Sequence, residues 1–104
     1  MNLLRPAVFA AKDPAEIVML GFDFADALGA GVTITSQSVG VSVHAGTDAA
    51  PAALLSGPAS AVGTRVVQRV VGGLAQVTYR VKAQIDASDG SRYVLAGLLP
   101  VRSA

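Results

Sequence analysis

The single histidine, His44, is the first place to look for chemistry in this chain of 104 residues. It follows Val39, Val41 and Val43 and falls on the opposite, polar side of the same alternating segment. A transition-metal site at His44 would need carboxylates for every other ligand, since cysteine is absent. A serine nucleophile would need His44 as its base, and no Gly-x-Ser-x-Gly elbow occurs. We therefore expect a solvent-facing His44, no catalytic residues, no metal and no cofactor.

Asp23 and Asp26 lie three residues apart and could pair for glycoside cleavage or calcium binding. Capping a single turn over residues 25–28 is the more ordinary role for either carboxylate. The glycines at 29–31 and 72–73 do not lead from a strand into a helix, as a phosphate-binding loop does. We expect turns at these positions.

Arg65, Arg69, Arg80 and Lys82 fall on two predicted strands that could be neighbours and would then form a basic stripe. The chain has eight Lys and Arg against seven Asp and Glu, and 5% aromatic residues, so we expect no nucleic-acid partner. No apolar run approaches the roughly 20 residues that span a bilayer, and Arg5 and Pro6 interrupt a signal-like start. We expect neither a membrane partner nor a signal peptide.

Alternating side chains predict the elements that hold these residues. The segment 76–86 alternates without error, Asp89-Gly90 supplies a hairpin turn, and 92–101 returns antiparallel with Leu98 on the outer side. Residues 16–24 bury Phe22 and Phe24, and 64–71 is rich in valine. The apolar phase slips near 37–38, which predicts a bulge or a break between two strands.

A short strand near 53–55 and an extended segment near 4–10 bring the count to about seven strands, as in a sandwich or small barrel. Tyr79 lies six residues after Gly73 in the inward phase, a placement typical of the tyrosine corner of immunoglobulin-like sandwiches. We predict an all-β fold: one immunoglobulin-like antiparallel β-sandwich over residues 1–104, with 1–11 as a candidate extended arm. The residues assigned structural roles are Phe22, Asp23, Phe24, Gly73, Tyr79, Asp89 and Gly90.

The order of several short motifs resembles a family of short phage and prophage proteins, described as fibre-tail adaptors and related tail or neck components. The motifs lie between about Lys12 and Val101: Lys12-Asp13-Pro14, Phe22-Asp23-Phe24, residues 31–36, Gly72-Gly73, Tyr79-Arg80-Val81 and residues 89–92. This chain carries Val32 where the family often has Asp, Gln76 where Gly is common, and Phe24 where Trp is common.

The resemblance implies a structural virion protein, made in the bacterial cytoplasm, that acts as an adaptor or connector through protein–protein contacts. Its partners would be other tail, neck or fibre proteins, with the domain repeated as a homo-oligomeric ring. We predict contacts in the first segment, around Leu3 to Phe9, in residues 45–63 and at an exposed Leu98. The side chains assigned to these contacts are Leu3, Leu4, Phe9 and Leu98. The alternative is a sandwich that binds a carbohydrate or cell-surface ligand, which the few aromatic residues disfavour.

Overall fold

Strict alternation makes one strand the centre of the fold. Strand β6 (Val77–Ala87) buries its odd-numbered side chains, among them Tyr79, Val81 and Ile85, which are all 0% exposed. Its even-numbered side chains point outward, because successive side chains of a strand face opposite sides. Burial of each large apolar side chain contributes roughly 1.5–3 kcal/mol, so this strand is a main anchor of the core.

The computed structural model describes residues 7–104, and within that range it consists of two β-sheets and no α-helix. One sheet has the order β1-β7-β6-β3 and the other has the order β2-β5-β4. The remaining strands are β1 (Ala7–Val8), β2 (Val18–Asp23), β3 (Ile34–Ala45), β4 (Leu55–Val62), β5 (Arg65–Val70) and β7 (Arg92–Val101). The β1–β7 pair is parallel and every other pair is antiparallel. The predicted all-β sandwich of about seven strands is confirmed.

The core lies between the sheets and is aliphatic with a few rings. Phe22 in β2 and Phe24, which directly follows β2, are 4% and 0% exposed. They share one core cluster with Val66 and Val70 of β5 and with inward side chains of β6 and β7. The ring of Phe9 packs edge-on against Phe22, with 5.5 Å between centroids. The first segment therefore contributes to the core through Phe9.

The region 45–63 differs from the prediction of one short strand near 53–55. Pro51–Leu54 form a 3₁₀ turn, because proline fixes the backbone angle that starts such a turn, and an eight-residue strand, β4, follows. Strand β4 pairs with β5 on both sides of an irregularity between Ser56 and Ser60. Gly57 (φ 74°) lies in this irregularity, which hides the strand pattern in the sequence.

Strand β3 is continuous, and its phase slip comes earlier than the predicted 37–38. The register shifts between Ile34 and Ser36, and shifts again between Val43 and Ala45. A bulge at Thr35 explains why the apolar residues are even-numbered before it and odd-numbered after it. Between the bulges, residues 36–43 pair regularly with β6.

The β6–β7 hairpin closes at the predicted Asp89-Gly90. Within this loop only Gly90 has a positive φ (90°). The backbone amide of Ala87 donates to the carbonyl of Ser91 over 2.8 Å. The loop therefore has three residues, with glycine in the left-handed position that follows a turn.

Candidate interaction surfaces

Tyr79 links three segments at one end of the sandwich. Its hydroxyl accepts a hydrogen bond from the amide of Leu74 at 2.9 Å and donates to Oδ2 of Asp48 at 2.6 Å. The other oxygen of Asp48 accepts from the amide of Ala50. These bonds hold the pKa of Asp48 below its ordinary 3.8, while burial and the bond to Asp48 raise the pKa of Tyr79. The bond from Leu74 ties the Tyr79 hydroxyl to the preceding loop, as a tyrosine corner would, whereas the alternating pattern did not indicate Asp48 as a partner.

Gly73 packs directly on this arrangement. Its φ is 91°, and a Cβ there would lie 3.0 Å from Val101 and 3.2 Å from Leu54. A larger residue would be strained and crowded at once. The 72–73 pair therefore lets the loop after β5 approach the core closely, while the turn of this loop lies at 75–76 and not at the expected 72–73.

Lys12 is buried at the same end, which periodicity did not predict. Only 2% of the residue is exposed, and its ammonium donates to the carbonyls of Gly72 at 2.7 Å and Asp13 at 2.9 Å. Burial lowers its pKa because the charged form loses hydration, an effect that Glu16 and Asp13 oppose. Lys12 therefore ties the first segment to the β5–β6 loop.

The opposite end contains the other assigned structural residues. Oδ1 of Asp23 accepts from the amide of Ala25 and from the hydroxyl of Thr64, and the amide of Phe24 donates to the carbonyl of Thr64. Asp23 thus caps the short turn after β2, and Asp89 similarly accepts from the amide of Ser91. Asp23 is therefore bonded by its own turn and by the β4–β5 turn, whereas Asp89 is bonded within its own hairpin loop.

No group of three or more His, Cys, Asp or Glu that could hold a metal occurs in residues 7–104. His44 is exposed at the second bulge of β3. Asp86, at the end of the predicted 76–86 segment, lies in β6, and its Oδ1 accepts a hydrogen bond from Nε of Arg92 at 2.7 Å, which lowers the pKa of Asp86. No helix in the described part of the chain is long and apolar enough to cross a membrane.

The first candidate surface is the seam between β1 and β2, at one edge of the sandwich. A cavity of about 310 Å³ opens there, lined by Phe9 to Lys12, Glu16, Val18 to Leu20 and Leu99. Met19, in this lining, is 60% exposed, and Val8 and Ile17, which adjoin lining residues in the chain, are 70% and 59% exposed. Exposed apolar side chains grouped around a cavity are typical of protein contact sites.

The predicted contact residues meet this seam in different ways. Leu3 and Leu4 lie outside the described residues. Phe9 is partly buried against Phe22 and also covers Gly97. The expected exposure of Leu98 is wrong: it is only partly exposed, because it pairs with Val8 on one side and Arg80 on the other.

The second candidate surface is the outer face of the first sheet beside β3, which we call the β3 trough. Ser38, Gly40 and Ser42 form its floor, and Arg80, Lys82 and Gln84 of β6 stand beside them around a space of about 310 Å³. The four basic residues do not form the single stripe that neighbouring strands would have given, because Arg65 and Arg69 belong to β5 in the other sheet. Within residues 7–104, neither Arg80 nor Lys82 has a carboxylate within 4 Å.

A further cleft of about 340 Å³ lies where β3 meets β4. The side-chain amide of Gln68, a residue only 2% exposed, donates to the carbonyls of Gly57 at 3.1 Å and Arg69 at 2.9 Å. The side-chain amide of Gln37 donates to the carbonyl of Ala59 at 3.3 Å. Gln68 satisfies the carbonyls that the β4 irregularity frees. Its even-numbered position between Val66 and Val70 was the signal for its burial.

Comparison with known proteins connects these surfaces to a biological setting. Residues 12–99 match the family model described as podophage GP4 fiber-tail adaptor protein gp77. No curated protein and no solved structure matches the chain significantly. The match covers far more than half of the chain, and it begins at the buried Lys12. The chain therefore belongs to the podophage GP4 fiber-tail adaptor family, whose members are structural proteins of the phage tail.

Proposed function

We propose that this protein is built into the podophage tail through surfaces at opposite edges of its first sheet, one that contacts neighbouring copies of this chain and one that contacts another tail component. Strand β1 forms one edge, beside the apolar seam, and β3 forms the other, beside the β3 trough. An adaptor needs two contact areas that do not overlap, and the two intervening strands keep these areas apart. This placement on one sheet is the observation that carries the proposal.

The seam is the surface that we assign to neighbouring copies in a homo-oligomeric ring. Val8, Ile17 and Met19 expose apolar area that a second protein surface would remove from water, at roughly 25 cal/mol per Å² buried. A ring uses a heterologous contact, in which the seam of one copy meets a different face of the next.

The strand order supports an immunoglobulin-like assignment of the sandwich. The sets β3-β6-β7 and β2-β5-β4 correspond to the C-F-G and B-E-D strands of that fold. Such a scaffold orders its edges before binding, which keeps the entropic cost of docking low.

Carbohydrate binding is the alternative function, and the placement of aromatic rings argues against it. The chain has three Phe, two Tyr and no Trp, and all five rings are buried or partly buried. Sugar platforms use exposed rings. A saturable hit on a glycan array would support the alternative and contradict an exclusive adaptor role.

The test of the adaptor role uses phage particles. Particles that lack this protein should lose their fibres, and electron microscopy of complete particles should place it between tail and fibre. Met19→Lys should reduce incorporation several-fold, since it puts a charge into the apolar seam. The matched control is Val62→Lys, at a similarly exposed apolar residue of β4, 67% exposed, which should incorporate normally. Fibres that attach without this protein would contradict the proposal.

A further inference from the structure

Strand β3 is an edge strand that the sequence leaves open. It has twelve residues, whereas β2 has six and β1 has two, and β4 is interrupted at Gly57 and Pro58. Among residues 7–104, the backbone of β3 forms hydrogen bonds with β6 alone among the strands. Toward the rest of residues 7–104, its other edge presents backbone amides and carbonyls that no strand pairs.

Residues 36–43 lack the sequence features that usually protect such an edge, and β4 reaches them through a side-chain bond, from Gln37 to the carbonyl of Ala59, and not through a backbone ladder. Proteins guard exposed edges with lysine, proline, bulges or a covering loop. The β3 sequence ITSQSVGVSVHA contains no charged residue and no proline, and both register shifts lie near its ends. The regular middle of the strand can therefore accept another strand.

The inner side of this edge has apolar area left to cover. Val39, Val41 and Val43 point toward the core but remain partly exposed, whereas Val81 and Ala83 on β6 are 0% exposed. An added strand with apolar residues on its inner side would complete their burial. It would also close the cleft beside Leu55 and Ala59 of β4.

The outer side selects the charge of the incoming strand. Lys82 lies opposite Gly40 and Arg80 lies opposite Ser42, and a Cβ built on Gly40 would meet nothing within 4 Å, so only short side chains separate these cations from the open edge. Strands lie about 4.8 Å apart, so side chains of an added strand must reach across β3, about two strand spacings, to β6. Glutamate and lysine are together long enough to meet over this gap.

We propose that the β3 edge binds an extended segment of another tail protein by β-strand addition, and that this segment alternates apolar with acidic residues. Backbone hydrogen bonds to residues 36–43 supply affinity, and carboxylates facing Arg80 and Lys82 supply specificity. The inference rests on the proposed adaptor function and assigns the chemistry of one of its two partners.

A blocked ten-residue peptide that alternates valine with glutamate is the probe, with the matching valine–lysine peptide as its counterpart. With ¹⁵N-labelled protein, the glutamate peptide should shift and protect amides of residues 36–43, and the lysine peptide should bind at least about tenfold more weakly. Lys82→Glu should reduce that preference roughly tenfold or reverse it. Arg69→Glu, the matched control on the other sheet, should leave it within twofold.

Three results would overturn the proposal: no saturable binding of either peptide, shifts centred on the β1–β2 seam, or an unchanged preference in Lys82→Glu. Protection of the same amides without peptide, together with a dimer in sedimentation, would assign the edge to a second copy and overturn it as well. An experiment with phage particles distinguishes a failure of the strand-addition site from a failure of the adaptor function. If Met19→Lys blocks incorporation while Lys82→Glu particles keep their fibres, the adaptor function stands and the strand-addition site fails.

Discussion

The hydroxyl of Tyr79 provides the sharpest test of the structure, because one oxygen joins the β5–β6 loop to the loop after β3. Tyr79→Phe removes a bond to a charged carboxylate, worth about 1.5–3 kcal/mol, and a bond from the amide of Leu74, worth about 0.5–1.5 kcal/mol. Leu74 and Asp48 are both accessible to water, which replaces part of the loss. We expect the free energy of unfolding to fall by about 2 kcal/mol at pH 7.

The measurement is urea unfolding followed by far-ultraviolet circular dichroism, since the chain has no Trp. Tyr93→Phe is the matched control: Tyr93 is partly buried, and within residues 7–104 its hydroxyl has no hydrogen-bond partner. That substitution should change stability by less than about 0.5 kcal/mol. A loss below about 0.5 kcal/mol in Tyr79→Phe would refute the two-bond geometry.

The difference in unfolding free energy between wild type and Tyr79→Phe should depend on pH. The bond from Tyr79 lowers the pKa of Asp48 in the folded protein, so its stabilisation is complete above the ordinary value of 3.8 and is lost as the pH falls through the lowered pKa. The stability gap between wild type and Tyr79→Phe should therefore narrow below pH 3.8. Other carboxylates titrate in both proteins and cancel. A gap that stays constant down to complete acid unfolding would show that Asp48 is not the acceptor.

Three further substitutions test the core and the backbone by the same unfolding assay. Phe22→Ala should cost about 3–5 kcal/mol, since the ring is 4% exposed and supports Phe9; a loss below 1 kcal/mol would contradict the inward phase of β2. Gln76→Gly should stabilise by about 0.5–1 kcal/mol, because Gln76 has φ 70°; a destabilised variant would contradict that backbone angle. Gly97→Ala should cost about 1–3 kcal/mol, because its Cβ would displace the Phe9 ring; normal protection of the Phe9 amide, which donates to the carbonyl of Leu98, would contradict the contact in this variant.

Alternation predicted those strands in which apolar and polar residues contrast strongly. In β6, from Val77 to Ala87, every odd-numbered residue is apolar and every even-numbered residue is polar. The sequence alone therefore predicted which side chains of this strand point inward. In β4 the residues LSGPASAV offer little contrast, and the strand was recognised only through its pairing with β5. The local pattern of side chains indicates which side of a strand is buried, whereas the sheet to which a strand belongs depends on pairing with residues far away in the sequence. For this reason the separation of Arg69 from Lys82 could not be predicted.

Buried polar residues were also beyond the reach of hydrophobic pattern. Lys12 interrupts no apolar period, and its pocket of two carbonyls exists only after the β5–β6 loop has folded over it. Asp48 lies in a loop whose distance from Tyr79 is set by the 3₁₀ turn and by β3. The burial of Gln68 could have been predicted, because it lies between two inward-pointing valines of β5 and shares their side of the strand. Each required the tertiary fold to supply its hydrogen-bond partners.

The placement of charge around β3 reconciles an open edge with an adaptor that pairs with one kind of strand. A single lysine on β3 would guard the edge, but it would also obstruct every incoming strand. The chain instead carries Arg80 and Lys82 one strand further in, where they leave the backbone ladder free. A cationic or neutral strand that approaches this edge gains the backbone bonds alone, whereas an acidic strand gains ion pairs as well. Selection by charge therefore acts on the partner while the edge itself remains able to pair, and this is the arrangement that a specific strand-addition site requires.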